Sequence, residues 1–227
     1  MLIHKLPRFR LLLLSLPLIL LVWLSLSFRS VRSLQGQLPD PATSFAAIET
    51  GKQTAVFAGG CFWGMEAVFE HLKGVSNVTS GYSGGSAATA QYSEVSGGRT
   101  GHAEAVKVTY DPSQISYGQL LKVYFAVAHD PTQLNRQGPD SGTQYRSTIF
   151  SSPEQKRTAQ GYVEQLNLAH SFAKPIVTQI VAVDEFYAAE EHHQDFIKRN
   201  PAHPYVVMHD LPKLSHLQSQ FPDLYKQ

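Results

Sequence analysis

Residues 54–72 read TAVFAGGCFWGMEAVFEHL, and this stretch decides the predicted fold. Its apolar run 55–58 is typical of a buried strand and stops at Gly59-Gly60. Large apolar side chains then recur at the spacing of one helix face, at Phe62, Met65, Phe69 and Leu72. The stretch therefore predicts a strand, a glycine turn and a helix, with Cys61 at the N-terminal edge of that helix.

The chain beyond this stretch continues to alternate strands and helices. Alternating apolar residues predict a strand over 102–110, and Ser-x-x-Gln capping boxes open predicted helices over 117–129 and 153–171. An apolar run predicts a buried strand over 176–183, and a polar helix is expected over 188–199. Because some strands follow one another without a helix between them, we expect an α+β fold with a mixed sheet flanked by helices.

Composition excludes several classes of protein. Of the 227 residues, 43% are hydrophobic and only 16% are charged, which excludes a charged disordered chain and a coiled coil. The single cysteine excludes an internal disulfide framework and any multi-cysteine metal site, and no histidine pair has metal-ligand spacing. After residue 32 acidic residues outnumber basic ones, so we expect no nucleic-acid partner.

The N-terminal region carries a long hydrophobic segment. Residues 11–28 read LLLLSLPLILLVWLSLSF, without a charge and with basic residues on both sides. We expect an uncleaved membrane anchor, with a cleaved secretory signal as the alternative. Both place the folded part outside the cytoplasm, membrane-anchored or secreted. The predicted organisation is a hydrophobic leader over 1–32, a linker over 33–53 and a folded domain over 54–227.

Two residues could carry acid and nucleophile chemistry. Cys61 lies where helix N–H groups would stabilise a thiolate, although a lone cysteine is more commonly a small buried hydrophobe. Glu104 shares a strand face with Val106 and Val108, and burial there would raise its pKa and make it a general acid. The alternative for Glu104 is an edge position, where the carboxylate reaches solvent or an arginine.

The sequence evidence for other candidate residues is weaker. Phe62 and Trp63 are adjacent, so at least one ring should lie beside the Cys61 sulfur. Loop tyrosines could bind a polar substrate oxygen, and Asp140 alone reads as a turn residue. The loop tyrosines are Tyr82, Tyr92 and Tyr145. Two other functions stay open: a cysteine hydrolase that pairs Cys61 with His102 or His129, and a non-catalytic peptide-binding module.

Several longer motifs occur in order along the chain. They are Gly60-Cys61-Phe62-Trp63-Gly64, Gly81-Tyr82-Ser83-Gly84-Gly85, Gly101-His102-Ala103-Glu104-Ala105-Val106, His129-Asp130-Pro131, Gly142-Thr143-Gln144-Tyr145-Arg146-Ser147 and His193-Gln194-Asp195-Phe196. Over about residues 54–205 the chain strongly resembles the A-type peptide methionine sulfoxide reductases. The resemblance implies a ferredoxin-like plait and reduction of the S epimer of methionine sulfoxide, in proteins and as the free amino acid.

The resemblance also implies roles for individual residues. Cys61 matches the nucleophile and Glu104 the proton donor. The hydroxyls of Tyr92 and Tyr145 match those that hold the sulfoxide oxygen, and Asp140 matches the carboxylate that supports them through water. The rings that match the walls around the substrate methyl group are Phe62 and Trp63.

One departure concerns regeneration of the enzyme. Many relatives carry a resolving cysteine in the C-terminal tail, and some carry one at the position of Ser96; this chain has neither. A Cys61 sulfenic acid must therefore be resolved by an external thiol, from a thioredoxin-like protein or from glutathione with a glutaredoxin. We expect no bound cofactor, oxidised proteins and peptides as substrates, contact with the membrane only through 11–28, and a monomer.

Overall fold

The strand predicted at 55–58 lies inside a six-stranded mixed sheet. The computed structural model of the chain describes residues 38–42 and 51–226. Its strands are β1 (Gln53–Ala58), β2 (Val75–Ser83), β3 (Ala103–Tyr110), β4 (Arg136–Gln137), β5 (Asp140–Ser141), β6 (Thr148–Ser151), β7 (Gln179–Ala182) and β8 (Phe186–Ala188). Its α-helices are α1 (Phe62–Glu70), α2 (Tyr92–Val95), α3 (Tyr117–Val123), α4 (Pro153–Leu168), α5 (Phe196–Arg199) and α6 (Leu211–Gln220).

The strand order of the main sheet is β7-β6-β1-β3-β2-β8, and β4 pairs separately with β5. Within the main sheet all neighbours are antiparallel except β6 and β7, which are parallel. The elements β1-α1-β2-β3-α3-β6 form the plait that the resemblance implies. The predicted fold class, α+β with a mixed sheet and flanking helices, is confirmed.

Helices cover one face of this sheet and build the core there. Phe57 of β1 stacks on Phe69 of α1 and on Tyr124, which follows α3, at 5.1 Å between ring centroids in each case. Leu166 of α4 and Leu217 of α6 are buried in the same apolar cluster. The opposite face carries a smaller cluster: Val56, Ala58, Ala103, Ala105 and Phe150. The larger cluster is where β1, α1 and β3 meet, so Cys61 lies at the rim of the core.

The register of β1 and β3 places the two principal candidate residues together. Ala58 pairs with Ala105 at the end of β1. Because the strands are antiparallel, the turn after β1 lies beside the start of β3. Cys61 and Glu104 therefore meet at one end of the sheet.

Two predicted elements are wrong. The buried strand expected over 176–183 is only β7, which is largely exposed because it forms the edge of the sheet and pairs only with β6. The helix expected over 188–199 is broken into a turn, Glu191–His193, and the short α5. The break lies at Asp195, whose φ of 50° is left-handed and cannot continue an α-helix.

The structure also corrects the predicted localisation, extracytoplasmic and either membrane-anchored or secreted. Within residues 38–42 and 51–226, no helix is long and apolar enough to cross a membrane. The segment 11–28, on which the expected anchor depended, lies outside the described residues. The domain boundaries and the monomer stay predictions.

Both predicted capping boxes are present, and one supports a stability test. The Ser116 hydroxyl accepts the N–H of Gln119 at 3.1 Å, and the Gln119 side chain accepts the N–H of Ser116 at 2.8 Å. Ser116→Ala should lower the free energy of unfolding by about 1 kcal/mol, measured by urea denaturation, because a helix N–H loses its acceptor. Ser93→Ala, at an exposed position of α2, is the control. Equal losses in the two variants would contradict the role of the box.

Candidate active site

The turn between β1 and α1 is held by close contacts. The Tyr124 hydroxyl donates at 2.7 Å to the carbonyl of the last residue of β1. A Cβ on Gly59 would lie 2.8 Å from the His129 ring, and Gly60 has a φ of 98°, which favours glycine. These constraints place Cys61 at the N-cap of α1.

Glu104 faces the first turn of α1 from β3. Its Oε2 accepts the main-chain N–H of Phe62 at 3.1 Å, a donor that has no partner within the helix itself. The residue is 2% exposed, and burial raises the pKa of its carboxyl to about 8. Of the two positions that the strand pattern allowed, the structure has the buried one. Glu104 is therefore largely protonated near neutral pH.

The Cys61 thiol does not have the lowered pKa that its helix position predicted. Burial raises the pKa well above its ordinary value, and the carboxylates of Glu104 and Asp210 raise it further. The main-chain N–H of Trp63 and the ammonium of Lys213 act in the opposite direction. Desolvation outweighs the helix N–H groups, so near neutral pH the free site holds a thiol beside a carboxylic acid.

Two of the predicted tyrosines face this pair. Burial, followed by the charges of Glu104 and Cys61, raises the pKa of Tyr92. Burial also raises the pKa of Tyr145, with Glu104 and Asp140 as the next causes. Tyr92 begins α2, and Tyr145 ends the turn Thr143–Tyr145. Two neutral phenol groups from separate connections therefore border the Cys61–Glu104 pair.

Asp140 has a partner that the sequence did not reveal. Its Oδ2 accepts a hydrogen bond from the hydroxyl of Tyr205, in the C-terminal part of the chain. Burial raises the pKa of Tyr205, and Cys61 is the next cause, so this phenol also borders the site. Tyr205 follows a Pro- and His-rich stretch without periodicity, and no pattern in the sequence marks it.

The two adjacent aromatic rings have different surroundings. Phe62 is buried, whereas Trp63 is half-buried and stacks on Phe196 with ring centroids 3.6 Å apart. The Trp63 indole N–H donates to Nδ1 of His193 at 3.2 Å. The edge-on ring of Tyr205, 6.0 Å away, completes an aromatic wall around Trp63. His193, for which the sequence predicted no individual role, orients the indole.

Glu190 is a further residue that the sequence did not mark. Its Oε1 accepts the main-chain N–H of Tyr92 at 2.9 Å, and its Oε2 accepts the hydroxyl of Tyr82 at 2.8 Å. Tyr82 is fully buried on β2, so it anchors Glu190 and is not a loop tyrosine. Glu190 thereby holds the start of α2 against the sheet.

The site offers no assembled hydrolase dyad. The ring nitrogens of His102 contact the Gly85 N–H at 3.2 Å and the Ser86 carbonyl at 3.0 Å. Those of His129 contact the Tyr124 carbonyl at 3.0 Å and the hydroxyl of Ser147 at 2.7 Å. Both imidazoles are thus engaged with groups other than Cys61. Among the residues described, no cluster of three or more His, Cys, Asp or Glu could hold a metal ion.

The family model for peptide methionine sulfoxide reductase matches residues 53–224. The chain is 55% identical to peptide methionine sulfoxide reductase MsrA 2 of Synechocystis, covering 83% of this chain and 90% of that protein. It is 58% identical to MsrA 2 of Mesorhizobium japonicum, covering 78% and 91%.

Solved structures agree with the sequence relatives. Methionine sulfoxide reductase A of Corynebacterium diphtheriae matches with a TM-score of 0.58 and 35% identity, covering 75% of this chain and 89% of that one. Reduced Mxr1 of Saccharomyces cerevisiae matches with a TM-score of 0.61 and 32% identity, covering 67% and 87%. With a family model over most of its length and relatives above 50% identity, this chain belongs to the peptide methionine sulfoxide reductase family, of the A type.

Proposed function

We propose that the domain at residues 54–227 reduces methionine (S)-sulfoxide to methionine, in proteins and as the free amino acid, at the expense of an external thiol. The observation that supports this most is the pairing of one thiol with one protonated carboxyl at the start of α1. Oxidised proteins and peptides are the substrates. The residues that act on the reacting atoms are Cys61 and Glu104.

The first step is protonation of the sulfoxide oxygen. This oxygen is a poor leaving group until it carries a proton, and Glu104, with a pKa of about 8, keeps its proton near neutral pH. The hydroxyls of Tyr92 and Tyr145 donate hydrogen bonds to the same oxygen, and Asp140 with Tyr205 supports them through water. The substrate methyl group lies against Phe62 and Trp63.

The second step is attack of the Cys61 Sγ on the sulfoxide sulfur. The attack forms a bond between Sγ and the substrate sulfur. As the oxygen moves from that sulfur to Cys61, this bond and the substrate S–O bond both break, and methionine leaves with its sulfur reduced by two electrons. Cys61 becomes a sulfenic acid and is oxidised by two electrons. The thiol proton restores the Glu104 carboxyl, so the step needs no net proton from solvent. A site that starts with both groups protonated therefore holds all the protons that this step uses.

The third step regenerates the thiol. This chain has one cysteine, so its sulfenic acid cannot form an internal disulfide. An external thiol attacks the Cys61 sulfur, releases water and leaves a mixed disulfide, and a second thiol then frees Cys61. A thioredoxin-like protein, or glutathione with a glutaredoxin, would supply both thiols.

The proposed activity is tested with the two epimers of one peptide sulfoxide. With dithiothreitol as reductant, the S epimer should give methionine and the R epimer should not, as measured by chromatography of the products. Omission of dithiothreitol is the control for thiol dependence. Equal turnover of both epimers, or hydrolysis of an ester or amide instead, would contradict the proposal.

The two phenols should each matter moderately for turnover. Tyr92→Phe and Tyr145→Phe should each lower kcat about tenfold, because each removes one hydrogen bond to the developing charge on oxygen. The double variant should lose more than either single one. Tyr225→Phe, whose ring stacks on His71 away from the site, is the matched control. An unchanged kcat in the double variant would show that the hydroxyls do not contact the oxygen.

A further inference from the structure

The C-terminal part of the chain places an ion pair against the helix that carries Cys61. Asp210 ends the π-helical turn Val206–Asp210, and Lys213 lies in the first turn of α6. The Lys213 ammonium donates to Asp210 Oδ1 at 3.3 Å. The Asp210 side chain is fully buried and the Lys213 side chain is 21% exposed. Burying a carboxylate with one lysine partner costs desolvation free energy, so stability alone does not explain why this pair is buried.

The pair packs against α1 at Gly64. A Cβ on Gly64 would lie 2.2 Å from Asp210 Oδ1 and 2.7 Å from Lys213 Nζ, so only a glycine leaves room for both charged groups. Gly64 is three residues beyond Cys61, the N-cap of α1, and the charges of Asp210 and Lys213 both act on the Cys61 thiol. Both charges are therefore within electrostatic range of the sulfur.

Asp210 is also incompletely satisfied. Its Oδ2 is buried and has no hydrogen-bond partner within the described part of the chain. A carboxylate placed only for stability would be expected to have both oxygens bonded, because an unpaired buried acceptor costs free energy. This incompletely bonded pair thus lies near the reacting thiol.

We propose that Asp210 and Lys213 are positioning residues that set the ionisation of Cys61: Lys213 stabilises the anionic sulfur, and the Asp210 carboxylate opposes that effect. This inference rests on the proposed nucleophilic role of Cys61. It assigns opposite effects to two residues in direct contact. If the ion pair were purely structural, both substitutions would change the reactivity of Cys61 in the same direction, since loss of either partner leaves the other one buried and unpaired.

Other ionisable groups also face the sulfur and belong in the comparison. Glu104 on β3 and the three phenols of Tyr92, Tyr145 and Tyr205 interact electrostatically with it. His129 contacts the turn before Cys61, with its pKa lowered to about 4 by burial, so it is neutral at pH 7. At that pH Glu104 and the phenols are neutral as well, which leaves the Asp210–Lys213 pair and the carboxyl group of Asp140 near the sulfur. Asp140 is common to all variants and cancels in the comparison.

The test is the rate at which iodoacetamide alkylates Cys61 at pH 7, followed by mass spectrometry of the full chain. The reagent is uncharged and the chain has one thiol, so the rate reports the thiolate fraction of Cys61. Lys213→Met should lower the rate about three- to tenfold, and Asp210→Asn should raise it by a similar factor. Lys213→Arg should keep the wild-type rate, and Lys156→Met, on the exposed face of α4, is the charge-matched control.

The outcomes separate this inference from the proposed function. Equal rates in all variants, or changes of the same sign for Lys213→Met and Asp210→Asn, would overturn it. Circular dichroism checks that each variant is folded, and Asp210→Asn alone decides the sign if Lys213→Met does not fold. Alkylation needs no sulfoxide, so opposite rate changes would support the pair even if the wild-type protein formed no methionine. Methionine formation with unchanged alkylation rates would support the proposed function and contradict the pair.

Discussion

Cys61→Ser should abolish methionine formation while the protein stays folded. The chain has one thiol, and a serine hydroxyl neither ionises near neutral pH nor forms a stable sulfur–oxygen product. The substitution is nearly isosteric at a half-buried position, so the free energy of unfolding should change little. The measurement is methionine released from a peptide (S)-sulfoxide with excess dithiothreitol, compared with a no-enzyme background.

As the control, the circular dichroism spectrum and the urea midpoint of Cys61→Ser are compared with those of the wild-type protein to show that the variant is folded. A folded serine variant with measurable turnover would remove Cys61 from the chemistry. The hydrolase hypothesis would then fall as well, because it uses the same nucleophile and because His102 and His129 are already engaged elsewhere.

Glu104→Gln should lower kcat by about 10²- to 10⁴-fold, because the amide can accept the N–H of Phe62 but cannot donate a carboxyl proton. The fold should persist, since the amide fits the same space without a buried charge. Glu164→Gln, exposed on α4, is the matched control and should keep the wild-type kcat. A normal kcat in Glu104→Gln would rule out the carboxyl as the proton donor.

The pH profile gives an independent test of the same group. Glu104 is the acid only while protonated, and burial raises its pKa to about 8. The wild-type kcat should therefore be maintained below pH 8 and fall as the pH rises through 8. The residual activity of Glu104→Gln should lack this decline. An identical decline in both proteins would assign it to another group.

Local sequence patterns predicted the parts of the fold that local interactions determine. The strand, turn and helix around Cys61 and the capping box at Ser116 depend on residues close in sequence, and all are present. The strand expected over 176–183 was wrong because an edge position follows from sheet order, which no local pattern encodes. The same limit applies to Asp195, whose left-handed conformation breaks an otherwise helical stretch.

In the candidate site, too, local patterns predicted some features, whereas features that depend on tertiary contacts were missed. Strand alternation predicted that Glu104 shares the apolar face of β3 but left a buried and an edge position open, and the structure has the buried one. The Cys61 pKa was predicted with the wrong sign. The helix N-terminus is local, whereas burial, which raises the pKa, and the carboxylates of Glu104 and Asp210, which raise it further, depend on distant segments. Tyr205 and Glu190 also reach the site only through tertiary contacts. Residues that act through long-range contacts are the ones that the sequence did not reveal.

The central claim is that Cys61 takes the oxygen from the sulfoxide in a one-cysteine cycle. The most direct measurement is a single turnover of the full chain with a peptide (S)-sulfoxide and no reductant, followed by trapping with dimedone and mass spectrometry. We predict one methionine formed for each Cys61 trapped as the sulfenic acid. No methionine, with Cys61 recovered as the free thiol, would contradict the claim.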